Sequence, residues 1–145
     1  MKKKVLVSAC LLGERCRYDG ESKPDQRVIE ILSNYICIPV CPEVMGGLPI
    51  PRKPSEIQGD RVVMIDGTDV TEQYCKGAEL SLCEAQKNGC AVAVLKARSP
   101  SCGKGFVYDG TYTKTLVKGN GICAQLLIDN GIDVIDETEI EKLKI

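Results

Sequence analysis

No histidine and no tryptophan occur among the 145 residues, and one phenylalanine and five tyrosines are the whole aromatic content. The first absence removes the commonest zinc ligand and the commonest general base. Any catalysis therefore rests on carboxylates, hydroxyls, thiolates, lysines or a metal centre. Few aromatics argue against a base-stacking platform. A basic excess is missing too: 19 Lys and Arg stand against 20 Asp and Glu, a formal net charge of -1, which gives no support to a polynucleotide partner. Long apolar runs are absent. Met1-Lys2-Lys3-Lys4 leads into only Val5-Leu6-Val7 before Ser8, too short for a signal-peptide core or a membrane span, so the expectation is a cytoplasmic protein with no membrane partner.

Nine cysteines stand out against these absences. In a secreted chain they would suggest disulfides, but the count is odd, no export signal is seen, and a single domain over residues 1–145 has a core without staples. Reduced thiols are the expectation. No Cys-x-x-Cys pair occurs, which with the missing histidine argues against a zinc site, and the clustered ferredoxin spacing is absent as well.

Apolar patterning sets the fold class. Lys4–Ser8, Tyr35–Cys41, Ala91–Leu95 and Ile132–Ile135 read as short strands, and Asp25–Asn34, Glu72–Asn88 and Ile122–Asn130 read as helices between them. Pro39 suggests an edge strand. Thr71 is the expected cap of the long helix, and the segment after Ile135 reads as a short charged helix. The alternation predicts a small Rossmann-like α/β domain with a mainly parallel sheet flanked by helices. Arg61–Ile65 and Thr68–Val70, around Asp66-Gly67, read as a small β-hairpin insertion, a surface appendage to the main sheet. The segment Pro49–Glu56, with Arg52 and Glu56, is the expected wall or lid of a substrate site.

Three cysteines, Cys10, Cys41 and Cys102, each follow a short apolar strand. In a parallel sheet such ends share one edge, where open α/β sheets place their ligands. Three converging thiols suggest a soft-metal or iron–sulfur site; taken singly, each also reads as a small buried hydrophobe. Cys41 is expected to be followed by irregular, glycine-rich backbone. Cys16, between Arg15 and Arg17, stays open as ligand, reactive thiol or structural residue. Cys37, Cys75, Cys83, Cys90 and Cys123 fall in strand or helix interiors and read as structural. Glu43 is the leading general base or acid, with a capping or surface carboxylate as the bland alternative. Ser99 and Ser101 either hydrogen-bond a substrate or shape the loop around Pro100. Gly103-Lys104-Gly105 matches neither Walker A nor the dinucleotide fingerprint.

Ser8-Ala9-Cys10-Leu11-Leu12-Gly13, Cys16-Arg17-Tyr18-Asp19-Gly20, Cys41-Pro42-Glu43, Gly46-Gly47-Leu48-Pro49 and Ser99-Pro100-Ser101-Cys102-Gly103 together resemble a small bacterial family, long catalogued as a domain of unknown function, that includes the thiouracil desulfidases. The resemblance runs over essentially the whole chain. It implies a [4Fe-4S] cluster held by Cys10, Cys41 and Cys102, with the fourth iron free to accept the sulfur of a small thiolated base, and working roles for Glu43 and Ser101. It also implies non-redox hydrolysis and dependence on cluster-assembly machinery. Two other classes remain in play: a non-catalytic metal- or sulfide-binding module using the same thiolates, and a redox protein cycling disulfides. The sequence does not fix the oligomeric state.

Overall fold

The computed structural model describes residues 2–143. Its centre is a four-stranded, all-parallel sheet of β1 (Lys4–Ser8), β2 (Ile36–Val40), β5 (Val92–Leu95) and β8 (Asp133–Asp136), in the order β2-β1-β5-β8. The chain winds outward from β1 in both directions, so β1 and β5 flank the topological switch point of a doubly wound sheet. Ser8 pairs with Val40 and Val7 with Val94, which brings the carboxyl ends of β2, β1 and β5 side by side. Pro39 does lie on an edge strand, where its missing N–H costs no ladder bond.

Helices α1 (Gln26–Leu32), α3 (Thr71–Lys87) and α4 (Ile122–Asp129) cover the sheet. Leu6, Ala93, Leu95 and Val134 meet α3 and α4 through Ala78, Ala85, Ala124 and Leu127 on one side. Val5, Val7, Val94 and Ile135 meet Val28, Leu32 and Ile140 on the other. Each large aliphatic chain buried this way contributes about 1.5–3 kcal/mol. Asp25 caps α1 by accepting from the Arg27 and Val28 amides. Thr71 does not cap α3. It is the first helical residue, and its hydroxyl accepts from the Val62 amide, while Asp69 accepts from the Thr71 amide.

Three expectations need correction. Cys41 is followed by a helical turn, α2 (Pro42–Met45), and not by irregular backbone; Pro42 suits this first-turn position because its missing N–H would have no helical partner. The expected hairpin is shifted: β4 (Arg61–Met64) pairs antiparallel with β3 (Ser55–Gln58), while its expected partner contributes one bridge, Val63 to Asp69. It is no mere appendage, since Val62 is fully buried against Leu48, Val70 and Tyr74. Finally, the described residues form two hairpins. β6 (Phe106–Tyr108) pairs with β7 (Leu116–Lys118), a hairpin that the apolar patterning does not predict. The segment after β8 is a 3-10 helix, Glu137–Leu143.

Backbone contact fixes α2. A Cβ on Gly77 would lie 1.7 Å from the Pro42 carbonyl oxygen, and one on Gly46 would lie 1.9 Å from that of Gln73. Only glycine at these positions lets α2 rest directly on α3, and α2 carries Glu43.

Candidate active site

Cys10 sits in the 3-10 turn after β1, Cys41 is the first residue after β2, and Cys102 lies in the loop after β5. All three line one cavity of about 480 Å³ at the carboxyl edge of the sheet, together with Cys16, Glu43 and Ser101. The Ser101–Cys102 loop is anchored by the start of α4: the Cys123 and Ala124 amides donate to the Ser101 carbonyl at 2.8 and 3.0 Å, and the Ile122 amide donates to that of Pro100 at 2.9 Å. These are amides that a helix leaves without internal partners.

Glu43 and Ser101 meet although 58 residues separate them. The Ser101 hydroxyl donates to Glu43 Oε2 at 3.1 Å. Arg52 Nε donates to Glu43 Oε1 at 3.0 Å, its Nη2 donates to the Cys16 carbonyl at 3.0 Å, and its Nη1 donates to that of Pro49 at 3.1 Å. The Arg52 and Glu43 side chains are 3% and 15% exposed, so this pair is sheltered from the solvent screening that weakens surface ion pairs. The capping-or-surface reading of Glu43 does not describe it. Its carboxylate faces the cavity between a guanidinium and a hydroxyl. Ser99 shapes the loop, accepting from the Ser101 and Cys102 amides at 3.1 Å each, and touches Ser101 Oγ at 2.9 Å.

The thiols are a proton-rich set. Cys16 interacts with both Cys10 and Cys41; the contact with Cys10 is the main reason its pKa is pushed up to about 11. Cys41 is raised first by Cys16 and then by burial, and Cys102 is raised by burial and then by nearby Cys123. The Cys41 thiol donates to the Cys16 carbonyl at 3.6 Å. Without a cation the Cys16, Cys41 and Cys102 sulfurs hold their protons. Bound iron reverses that preference, since a coordinating thiol is deprotonated outright.

The donor set fits an iron–sulfur cluster. It is all sulfur, soft and histidine-free. Among the described residues no three Cys, Asp or Glu side chains converge closely enough to hold one metal ion. Cys10, Cys41 and Cys102, lining one cavity, would each hold a separate iron of such a cluster. All nine cysteines are free. Cys90 and Cys123 are buried as expected of structural residues and Cys37 is half-buried, but Cys75 and Cys83 are exposed on α3.

The wall holds what the sequence did not reveal. Arg52, Pro54 and Glu56 line it as expected, but so do Tyr74, Lys96, Arg98, Tyr112 and Lys114. Arg98, Tyr112 and Lys114 are the three non-glycine residues with left-handed φ (70°, 60° and 61°) among the described residues. Such backbone costs about 1–3 kcal/mol each and collects at functional sites. Lys96 pairs with Glu137 at 2.8 Å, and Lys104 is taken up by Glu139 at 3.6 Å, outside this cavity.

A family model described as 2-thiouracil desulfurase matches residues 5–139. The chain belongs to the 2-thiouracil desulfurase family. Within curated proteins, YbbK of Bacillus subtilis (strain 168), itself described as uncharacterized, is 36% identical over 149 residues, covering 96% of this chain and 99% of YbbK. Among solved structures, the [4Fe-4S]-dependent thiouracil desulfidase TudS (DUF523Vcz) superposes with a TM-score of 0.92 at 42% identity, covering 98% of this chain and 95% of that one. Family membership thus accompanies the same α/β fold along nearly the full length.

Proposed function

We propose that this chain is a [4Fe-4S]-dependent desulfidase that hydrolyses a thiolated nucleobase of the thiouracil type, with Cys10, Cys41 and Cys102 as the ligands and Glu43 and Ser101 as the catalytic pair. The observation that carries the reading is the arrangement itself: three strand-end thiols and the Glu43–Ser101 pair line one cavity, in a member of the 2-thiouracil desulfurase family. The net reaction exchanges a C=S for a C=O with water as reactant and hydrogen sulfide as product, so no electron is gained or lost. When bound, the cluster supplies a soft, thiophilic iron that polarises the thiocarbonyl.

The chain's own groups do the rest. Glu43, aimed into the cavity, accepts the proton of the attacking water as its oxygen adds to the ring carbon, and returns a proton to the departing product. Ser101 holds Glu43 Oε2 in place and relays a proton between that carboxylate and the substrate. A cavity of about 480 Å³ lies within the usual size range for small-ligand sites. No helix among the described residues is long and apolar enough to cross a membrane. A reducing cytoplasm suits nine free thiols, and cluster-assembly machinery would load the site.

The test is an anaerobic preparation with iron and acid-labile sulfide measured per chain, followed by an assay of sulfide release from 2- and 4-thiouracil. Stoichiometric cluster with sulfide release supports the reading. Iron without turnover favours a non-catalytic iron–sulfur module. Iron-free protein that forms disulfides on oxidation favours the redox class.

A further inference from the structure

Hydrogen-bond bookkeeping settles a direction along the floor of the cavity. Ser99 Oγ accepts from two backbone amides, Ser101 and Cys102, at 3.1 Å each, which uses both lone pairs of a hydroxyl. Its own proton is therefore the donor in the 2.9 Å contact with Ser101 Oγ. A carboxylate only accepts, so the Ser101 proton goes to Glu43 Oε2 at 3.1 Å; the Cys102 sulfur at 3.6 Å is the more distant acceptor. From the other side Arg52 gives Nε–H to Glu43 Oε1, and its two remaining nitrogens are tied to the Cys16 and Pro49 carbonyls. The bonds run from Ser99 to Ser101 to Glu43 and from Arg52 to Glu43, converging on one carboxylate.

We propose that Ser99 and Arg52 are positioning residues that clamp the Ser101–Glu43 pair from its two ends and give the two carboxylate oxygens separate tasks. Oε1 is held by Arg52; Oε2 is kept with Ser101 at the side where water is activated. Arg52 is anchored to the Cys16 and Pro49 carbonyls, so a turn of the carboxylate would break a bond between two side chains largely shielded from solvent. The inference rests on Glu43 being the proton acceptor of the proposed reaction.

The test compares Ser99→Ala, Ser99→Thr, Arg52→Met and Arg52→Lys in anaerobically loaded enzyme, with iron per chain, kcat and KM for 2-thiouracil measured on each, alone and combined with Glu43→Gln. Misplacing a reacting group by about 1 Å can cost about 10²-fold. Ser99→Ala and Arg52→Met should therefore lower kcat by up to about that factor while leaving KM nearly unchanged. Ser99→Thr, which keeps the hydroxyl, should recover most of the loss. In the Glu43→Gln background neither substitution should cost more than about twofold, because a residue acting through Glu43 has nothing left to position. Loaded Ser99→Ala and Arg52→Met with undiminished kcat, or losses that multiply with that of Glu43→Gln, overturn the clamp. Should Arg52→Met not load, Arg52→Lys carries the comparison, since a single ammonium cannot reproduce the fork to three acceptors. Wild-type protein that releases no sulfide, or Glu43→Gln at full kcat, would instead sink the underlying functional reading, a separable result.

Discussion

The cavity floor takes Cys10, Cys41 and Cys102 from three adjacent parallel strand ends, whereas its wall takes Glu56, Tyr108, Tyr112 and Lys114 from two hairpins outside that sheet. The floor is held by sheet register, by the α4 amides on the Ser101 loop, and by glycine contacts that seat α2 on α3. The wall is tied together largely by side-chain bonds between the two hairpins. Glu56, only 8% exposed, accepts from the Gly110 and Tyr112 amides at 2.9 and 3.2 Å, and the Tyr112 hydroxyl donates to the Val63 carbonyl, linking the hairpins to one another. Under the proposed function, bond-making chemistry would fall to the elements fixed by sheet and helix packing and substrate contact to the hairpins. Substitutions on the floor, and at Arg52, which acts through Glu43, should then strike cluster loading or kcat, and those on the hairpin part of the wall KM.

The sharpest break is at a ligand. Cys102→Ser, like Cys10→Ser or Cys41→Ser, should remove most iron from the anaerobically loaded protein and reduce sulfide release to background. Full iron content with normal activity would remove that cysteine from the ligand set. Next in size is Glu43→Gln, expected to lower kcat by about 10²–10⁴-fold with iron content unchanged, because it deletes a proton acceptor and keeps the shape. Loss of iron in that variant would move Glu43 from chemistry to assembly.

How much of this contrast could be read from the chain follows the same divide. Floor residues announce themselves because a buried parallel strand is a short apolar run, and Val5-Leu6-Val7 and Ala91–Leu95 mark where Cys10 and Cys102 must emerge. The meeting of Glu43 with Ser101 follows once those ends share an edge. Arg52 was legible as wall but not as the partner of Glu43, since a bond across nine residues of proline-rich chain depends on the path of that loop. The second hairpin has strands of three residues with Phe106, Leu116 and Val117 exposed and Val107 buried, too short a run for its alternation to be detected. Left-handed φ at Arg98, Tyr112 and Lys114 has no sequence mark at all; glycine would have signalled it, and other residues do not.

A pH experiment on the metal-free chain probes the floor without its cluster. Cys16 is pushed up to about 11, chiefly by Cys10, and Cys123, behind Cys102, up to about 12 by burial. Unfolded thiols titrate near about 8.5, so the raised native values mean that the unfolded chain loses protons first as pH climbs. Stability is then fully present below about pH 8 and falls progressively between about pH 9 and 12. Urea midpoints should be flat from pH 6 to 8 and drop beyond. A flat profile to pH 11 would show that the metal-free chain keeps neither the Cys16–Cys10 contact nor the burial of Cys123. On the wall, Lys114→Gly exchanges a strained left-handed residue for one that adopts φ 61° freely. Folding stability should rise by up to about 1–2 kcal/mol, the relieved strain of about 1–3 kcal/mol being offset in part by the extra chain entropy of glycine, about 0.5–1 kcal/mol, while KM should rise several-fold and kcat should hold within about twofold. A fall in kcat with KM unchanged would erase the division between floor and wall.

Cys75 and Cys83 set the lower bound of the comparison. Both lie on α3, the helix that seats α2 and so positions Glu43, yet both are exposed and neither lines the cavity. If thiol number alone governed iron uptake, replacing them would lower it. If strand-end geometry governs, Cys75→Ser and Cys83→Ser leave iron per chain, kcat and KM unchanged and stability within about 0.5 kcal/mol. The double variant makes the stricter test, because losing two of nine thiols without losing iron separates a placed set of ligands from a merely cysteine-rich chain.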